Sequence, residues 1–361
     1  MQDRYVADEA RVSISSLEAE TIMKSTPVQT VKSILGRIGI EYEDGLPKEA
    51  YISALKEEFC SEPKWVLLML PKVMLDFLTE VWENSVIAMT EERWNYIEYL
   101  KIFGFLAYQM GNPVTDEPNR LIVVEEMKDN FYFLLKSRKN RKLLSVYDEW
   151  EKIITGFMYY YGFIETRTLY SLFLKVSKKV ISYEDFLLFI KCRTSLWPFG
   201  AILKDTFEKN EYFQYLNVEN PDMLLEYVRQ HENLPYKPIK LEDLIYISDA
   251  AGIDNRWRGV SELGNLFIDK MGLNYYRATV LVRTLLIMIK NGSSYEKLQE
   301  KVSILSFENA QIREEVQQAV RQIFENVPVF EYKGYSRAEY KRLSYQKQLK
   351  NLFTIIDGGK E

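Results

Sequence analysis

The chain has 361 residues, a net charge of −5, and 14% aromatic and 27% charged residues. This length allows two or three domains, and the aromatic content excludes disorder over most of the chain, because disordered segments lack bulky apolar residues. The acidic balance excludes nucleic-acid binding over the whole surface and leaves that role to local basic patches. Two cysteines and an N-terminus without an apolar signal core predict a soluble, cytoplasmic protein with no membrane segment.

A polar N-terminus over residues 1–25, predicted to be flexible, precedes a helix–turn–helix unit over 26–62. Apolar residues recur at helical spacing from Val28 to Ile38, and Leu46-Pro47 begins a second helix. The turn between them, Glu41-Tyr42-Glu43-Asp44, carries three negative charges, which repel phosphate. The unit is therefore predicted to serve packing or a protein contact.

Two modules of helices with short strands are predicted next, over residues 63–145 and 146–233. In the first, the helical pattern of EERWNYIEYLKIFGFL and the β-branched run RLIVV are separated by the turn-rich loop GNPVTDEPN. In the second, three helices precede short extended candidates, among them EYFQYLNV. Helices followed by a small β-ribbon indicate two winged-helix-like modules.

A helical bundle over residues 234–331 and a basic tail over 332–361 complete the predicted order. The segment from Tyr276 to Ile289 is apolar nearly all round, which predicts the central helix of the bundle. An apolar stripe at helical spacing from Ile312 to Phe324 predicts a second bundle helix.

The residue types of common catalytic and metal-binding chemistries are scarce. His231, the single histidine, lies among charges beside a proline turn and is interpreted as a surface or capping residue. Cys60 and Cys192 form no CxxC pair and are interpreted as small buried residues rather than zinc ligands. Neither GxxxxGK[ST] nor GxGxxG occurs, so no phosphate-cradling loop is predicted. We therefore expect no enzyme, no cofactor and no metal site.

Basic residues concentrate in three runs, which supply the candidate nucleic-acid-binding residues. Basic residues interleaved with aromatic residues suit a nucleic-acid site, because the cations contact phosphates and the aromatic rings stack on nucleobases. A solvated helix face that offsets nearby acids would carry the same residues without a ligand, so both interpretations stay open. The candidates are Lys136, Arg138, Lys139, Arg141 and Lys142 in KSRKNRK, Lys175, Lys178 and Lys179 in LKVSKKV, and Lys341 and Arg342 in the tail.

Several fragments also carry a family resemblance. They are Val31-Ile34-Leu35, Gly39-Ile40, Leu46-Pro47-Lys48, Leu70-Pro71, Tyr161-Gly162, Leu234-Pro235-Tyr236, and Asn326, Pro328, Phe330, Lys333, Gly334, Ser336 and Glu339 in ENVPVFEYKGYSRAEY. In this order they resemble a group of bacterial proteins with an N-terminal SAP-like or Rho-N-like helix–turn–helix and, often, a C-terminal SEC-C zinc motif. Phe330 and Arg337 replace the group's usual Trp and Pro. No cysteine follows Cys192, so the resemblance implies no zinc here.

Together these patterns predict a mainly α fold with a SAP-like helical hairpin, winged-helix-like modules with small β-ribbons, and a C-terminal helical bundle. The resemblance implies binding rather than catalysis. The first interpretation is a non-catalytic, nucleic-acid-associated regulatory protein that binds DNA or RNA through local basic patches. The alternative is a protein–protein interaction adaptor without nucleic-acid binding. Salt separates the two, because phosphate contacts weaken steeply with salt and apolar interfaces do not.

Overall fold

A computed structural model describes residues 10–17, 27–37, 40, 42–61, 64–102, 105–110, 119–194, 201–204 and 210–346. The chain divides into two compact units. Unit 1 comprises Met1–Trp150 and Ser182–Pro198, and unit 2 comprises Glu151–Ile181 and Phe199–Glu361. The structure is mainly helical with small sheets, as the sequence predicts. Within the described ranges, no helix combines the length and apolar character needed to cross a bilayer.

The secondary structure follows one order along the chain. The α-helices are α1 Val28–Arg37, α2 Lys48–Ser61, α3 Lys64–Met69, α4 Lys72–Glu83, α5 Glu91–Ile102, α6 Glu125–Lys136, α7 Arg138–Tyr161, α8 Thr166–Ser177, α9 Tyr183–Thr194, α10 Pro221–Gln230, α11 Leu241–Asp249, α12 Val260–Asn265, α13 Tyr275–Lys290, α14 Tyr295–Ser303 and α15 Ala310–Asn326. The strands are β1 Ala10–Leu17, β2 Val86–Met89, β3 Leu106–Gln109, β4 Arg120–Val124, β5 Phe163–Glu165, β6 Ala201–Lys204 and β7 Glu211–Gln214. A π-helical turn, Leu266–Lys270, continues α12, and a 3-10 turn spans Phe330–Tyr332.

The acidic turn between α1 and α2 is organised by Tyr51, which is buried. Its hydroxyl donates to Glu43 O at 3.0 Å and accepts from the Leu46 N–H at 3.1 Å. The ammonium of Lys32 lies 3.2 Å from Asp44 Oδ1 and 4.7 Å from the centre of the Tyr51 ring. These contacts engage Lys32 within the unit, which favours the predicted packing role.

The prediction of a flexible N-terminus is wrong for Ala10–Leu17. This segment forms β1, which lies between β2 and β4 in a four-stranded sheet of order β2-β1-β4-β3. β1 pairs antiparallel with β2 and parallel with β4, and β3 pairs antiparallel with β4. Ala10, Val12 and Ile14 alternate with polar residues, which is the pattern of a short strand, but the strands that pair with it lie far along the chain. The remainder of residues 1–25 lies outside the described residues.

A second, three-stranded sheet belongs to unit 2. β7 lies in its centre and pairs antiparallel with β5 and with β6. The predicted extended run EYFQYLNV supplies this central strand. From α7 to β7 the element order is helix, strand, helix, helix, strand, strand.

The C-terminal part of unit 2 is a helical bundle with one apolar core. From α13, Ala278, Val282, Leu285, Leu286 and Ile289 are buried in it. The opposite side of α13 exposes Tyr276 and Val280, so the helix is buried on one face only. The predicted stripe of α15 is buried at Ile312, Val316, Val320 and Ile323.

Candidate functional site

The first basic run lies in unit 1, where α6 ends and α7 begins. The Ser137 N–H donates to Phe133 O at 3.0 Å, and Ser137 O accepts from the Arg141 N–H at 2.9 Å. Asn140 Nδ2 donates to Leu134 O at 3.0 Å and ties the two helices across the turn. We call the four cations at the start of α7 the basic junction: Arg138, Lys139, Arg141 and Lys142.

Lys136 has a structural partner and does not belong to the basic junction. Its ammonium forms a salt bridge with Glu83, which also accepts a hydrogen bond from the Tyr132 hydroxyl at 2.9 Å. The hydrogen bond to Glu83 raises the pKa of Lys136 and lowers the pKa of the carboxyl. Lys136 therefore links α6 to α4.

The side chains of the basic junction are exposed and, among the described residues, form no ion pair or hydrogen bond. Arg138 and Lys142 share a helix face at a spacing of four residues, with Arg141 beside them. The first turn of α7 contains no acidic residue, so these cations meet the positive end of the helix dipole. A bound phosphate would relieve that repulsion. Phe133, one turn earlier, is 78% exposed and offers a stacking surface.

The second basic run lies in unit 2, at the end of α8. Lys175, Lys178 and Lys179 are exposed, and Lys178 caps the helix in a left-handed conformation with φ of 54°. Cations at a helix C-terminus interact favourably with the dipole, so this run has a structural explanation without a ligand.

The tail residues also belong to unit 2, and most of them are engaged. Lys341 Nζ lies 3.1 Å from both carboxylate oxygens of Glu325, whereas Arg342 is exposed. Arg337 is buried, donates to Ser293 O at 3.1 Å and lies 4.0 Å from the centre of the Phe324 ring. The three basic runs are thus divided between the two units, and in the described part of the tail, residues 332–346, Arg337 and Lys341 contribute to packing and an ion pair.

Three fragments of the family resemblance converge in unit 2. The Tyr161 hydroxyl donates to Lys237 O at 2.6 Å, and the Tyr161 and Tyr236 rings meet edge to face at 4.9 Å. Gly162 has φ of +66°, and a Cβ there would lie 2.4 Å from Phe330 Cγ. The segments around residues 161, 236 and 330 therefore form one packing centre.

His231 is a capping residue, as the sequence predicts. Its N–H donates to Tyr227 O at 3.0 Å at the end of α10. Its Nδ1 lies 2.9 Å from the same carbonyl, and its Nε2 lies 3.1 Å from the Tyr340 hydroxyl. A carbonyl only accepts, so Nδ1 carries a proton, and in the neutral imidazole Nε2 accepts from the Tyr340 hydroxyl. Lys333, which is buried, donates to His231 O at 2.8 Å.

Ser336 and Glu339 form a capping box at the start of the tail. The Ser336 N–H donates to Glu339 Oε2 at 2.9 Å, and the Glu339 N–H donates to Ser336 Oγ at 3.3 Å. Lys237 Nζ lies 2.7 and 2.8 Å from the same carboxylate. We expect Glu339→Ala to lower the free energy of unfolding by about 1–2 kcal/mol, and Glu339→Gln by less, because the amide keeps an acceptor. Urea unfolding measures both, and equal losses would contradict the capping role.

A cavity of about 120 Å³ opens in unit 2 beside the last turn of α13. We call it the Lys290 cavity; its walls include Tyr159, Tyr215, Arg283, Leu286, Lys290 and Phe330. Lys290 is buried, and its Nζ donates to Tyr159 O at 2.9 Å. The ammonium lies 4.8 Å from the centre of the Trp257 ring. Burial lowers the pKa of Lys290 to about 7, and Asp254 opposes this shift.

The polar groups around the Lys290 cavity differ in how many hydrogen bonds they form within the protein. The Tyr215 hydroxyl accepts from Asn217 Nδ2 at 2.8 Å. Asn291 is fully used, because it donates to Asn217 O and Ile287 O and accepts from the Glu219 N–H. Arg283 is exposed.

Lys290 was not predicted from the sequence as a candidate site residue, although its spacing from apolar residues of α13 indicated burial. Val282, Leu286 and Lys290 follow at spacings of four residues, so the lysine falls on the buried face of α13. A lysine on an apolar helix face is rarely buried without a specific reason.

No protein-family model, curated protein or solved structure matches the chain. Across the described ranges, no group of three or more His, Cys, Asp or Glu residues is arranged to hold a metal ion. The side chains described above are therefore the basis for assigning a function.

Proposed function

We propose that the protein is a non-catalytic, nucleic-acid-associated regulatory protein that contacts phosphates through the basic junction. The observation that carries the proposal is a set of four exposed cations at the start of α7 that form no ion pair among the described residues; the charge of Arg141 also acts on Glu83. On a chain of net charge −5, such a patch is a local attractor for a polyanion. Within unit 2, the small antiparallel sheet β5-β7-β6 beside α8 supports a winged-helix-like arrangement.

The exposed Phe133 adds a preference for unpaired bases to this proposal. Cationic grooves with aromatic platforms bind single strands, and stacking contributes about 1–3 kcal/mol per base. Phe133→Ser should therefore weaken binding to single-stranded DNA or RNA about tenfold or more and leave duplex binding unchanged.

The experiment is a fluorescence-anisotropy titration with labelled duplex DNA, single-stranded DNA and RNA at about 50 and 200 mM salt. We expect micromolar binding that weakens steeply with salt, by a log–log slope of roughly −0.9 per duplex phosphate contacted. Changing all four residues of the basic junction to Gln should reduce the slope by about 3 and the affinity by about tenfold or more at the lower salt. Removal of cations from the positive helix end should leave the fold intact.

A matched control changes to Gln four exposed cations that lie outside the basic junction, in unit 2. They are Arg277, Lys297, Lys301 and Arg321. Both quadruple variants change the net charge equally, so the control should retain most of the affinity and slope. Equal losses of affinity in both variants would show that binding depends on the total charge of the protein and not on the basic junction. Absence of binding to all three probes at about 50 mM salt would overturn the proposal.

A protein-interaction adaptor is the second candidate. Tyr275 and Tyr276 are 76% and 75% exposed, and Val280 lies on the same exposed side of α13. Exposed aromatics of this kind are enriched at protein interfaces. Association through this surface should persist at about 500 mM salt and be lost on Tyr276→Ser, which distinguishes it from phosphate binding.

A further inference from the structure

We propose that the Lys290 cavity is a second site, independent of the nucleic-acid proposal, which binds a small oxo acid. The Lys290 amine forms an imine with its carbonyl carbon, and the Arg283 guanidinium pairs with its carboxylate. The two residues stand seven positions apart on α13, which is roughly 10 Å along the axis. Both residues line the cavity, Lys290 from a buried and Arg283 from an exposed position, which favours a ligand whose carbonyl and carboxylate are separated by a short carbon chain.

The hydrogen bonding of Lys290 leaves an ammonium only partly satisfied, and the faces of the Trp257 and Tyr159 rings lie 4.8 and 5.5 Å from Nζ, measured to the ring centres. Three protons of an ammonium need acceptors, yet among the described residues Nζ has one hydrogen-bond acceptor, Tyr159 O. The nearby carboxylate of Asp254 is engaged by Arg256, at 2.7 and 2.9 Å. A neutral amine uses one proton for Tyr159 O and keeps a lone pair that can attack a carbonyl carbon. The lowered pKa of about 7 leaves about half of the side chain neutral at neutral pH.

The residues that line the cavity suit formation of an imine between the Lys290 amine and a carbonyl group. Leu286 and Phe330 supply apolar surface that disfavours retention of water. Burial raises the pKa of the Tyr159 and Tyr215 hydroxyls, which stay protonated and are hydrogen-bonded to one another at the cavity wall. Arg283 is the exposed cation of the lining and offers two parallel N–H groups to a carboxylate.

The reaction balances without an oxidant or a reductant. The nitrogen lone pair attacks the carbonyl carbon, and the π electrons of the C=O bond move to oxygen, which takes a proton from the nitrogen. The resulting carbinolamine loses its hydroxyl as water with a second nitrogen proton, and a C=N bond forms. A buried lysine of lowered pKa is the usual partner in such chemistry.

The test traps the imine with sodium cyanoborohydride, which reduces it to a stable secondary amine. Full-length protein is incubated near pH 7 with levulinate or with methyl levulinate, which has the same ketone but no carboxylate. Peptide mass spectrometry should place one levulinate adduct on Lys290. We expect labelling about 100-fold faster than at the exposed Lys297, because an ordinary lysine is almost fully protonated at this pH.

Two comparisons make the assignment falsifiable. Levulinate should label Lys290 about tenfold faster than its ester does, and Arg283→Gln should remove that advantage while labelling by the ester stays unchanged. Lys297→Met should leave Lys290 labelling intact, and Lys290→Met should abolish the fast adduct. An adduct spread over exposed lysines with Lys290 unmodified would overturn the site, and this wild-type result does not depend on any variant. Equal rates for acid and ester would overturn the role of Arg283.

Discussion

Replacing Gly162 by alanine is expected to lower the free energy of unfolding by about 2–5 kcal/mol. The φ of +66° costs an L residue about 1–2 kcal/mol, and a forced contact in a packed core costs about 1–3 kcal/mol more. The contact arises because the new Cβ would lie 2.4 Å from Phe330 Cγ. Phe330 is buried and borders the Lys290 cavity, so the size of the loss depends on how far its ring can shift toward that space. Urea unfolding monitored by tyrosine and tryptophan fluorescence measures the loss.

Gly272 provides the matched control for this substitution. Its φ is +67°, and a Cβ there would meet nothing within 4 Å. Gly272→Ala should therefore cost only the conformational part, about 1–2 kcal/mol. Phe330→Leu in the Gly162→Ala background should recover part of the excess, since residues in contact do not act additively. Equal losses at the two glycines would show that the contact of residue 162 with Phe330 is not tight.

Lys290→Met is expected to stabilise the protein at neutral pH and to lose this advantage as the pH rises. Burial lowers the pKa of Lys290 from 10.5 to about 7, so between these values the unfolded chain holds a proton that the folded chain lacks. The free energy of unfolding of the wild type should then rise by about 1.4 kcal/mol per pH unit in this window. Below pH 7 the lysine is charged in both states, and the full burial penalty applies.

Urea unfolding of wild type and Lys290→Met at pH 6, 7, 8 and 9 tests this expectation. The difference between the two should change by about 2 kcal/mol from pH 7 to pH 9 and little below pH 7. Lys297→Met, at an exposed position, should run parallel to the wild type throughout. Parallel profiles for Lys290→Met would mean that Lys290 titrates like an ordinary lysine.

A residue that lowers stability at neutral pH is usually retained for another reason. Replacement of a buried charge by an apolar side chain of similar volume is often neutral or stabilising. Natural proteins commonly accept such a cost at functional positions. The stability prediction for Lys290 and the imine proposal therefore support one another but are measured independently.

Local sequence patterns by themselves determined most of the helices. Patterns among residues that are close together in the sequence predicted three of these features: the apolar stripe of α15, the start of α1 and the strand RLIVV. The capping role of His231 was also predicted from its immediate neighbours. These features depend on contacts along one segment, and the period of an α-helix or a β-strand records such contacts directly.

Tertiary structure alone decided the features that involve distant segments. β1 acquires its place because β2 and β4 supply pairing edges, which no pattern in ARVSISSL reveals. Lys136 and its four basic neighbours look alike in sequence, and the salt bridge with Glu83 distinguishes Lys136 from them. Lys290 becomes a buried amine because Tyr159 and Trp257 cover it. Burial and pairing depend on which residues the fold brings together. The type of a residue and its neighbours in sequence do not specify these tertiary contacts.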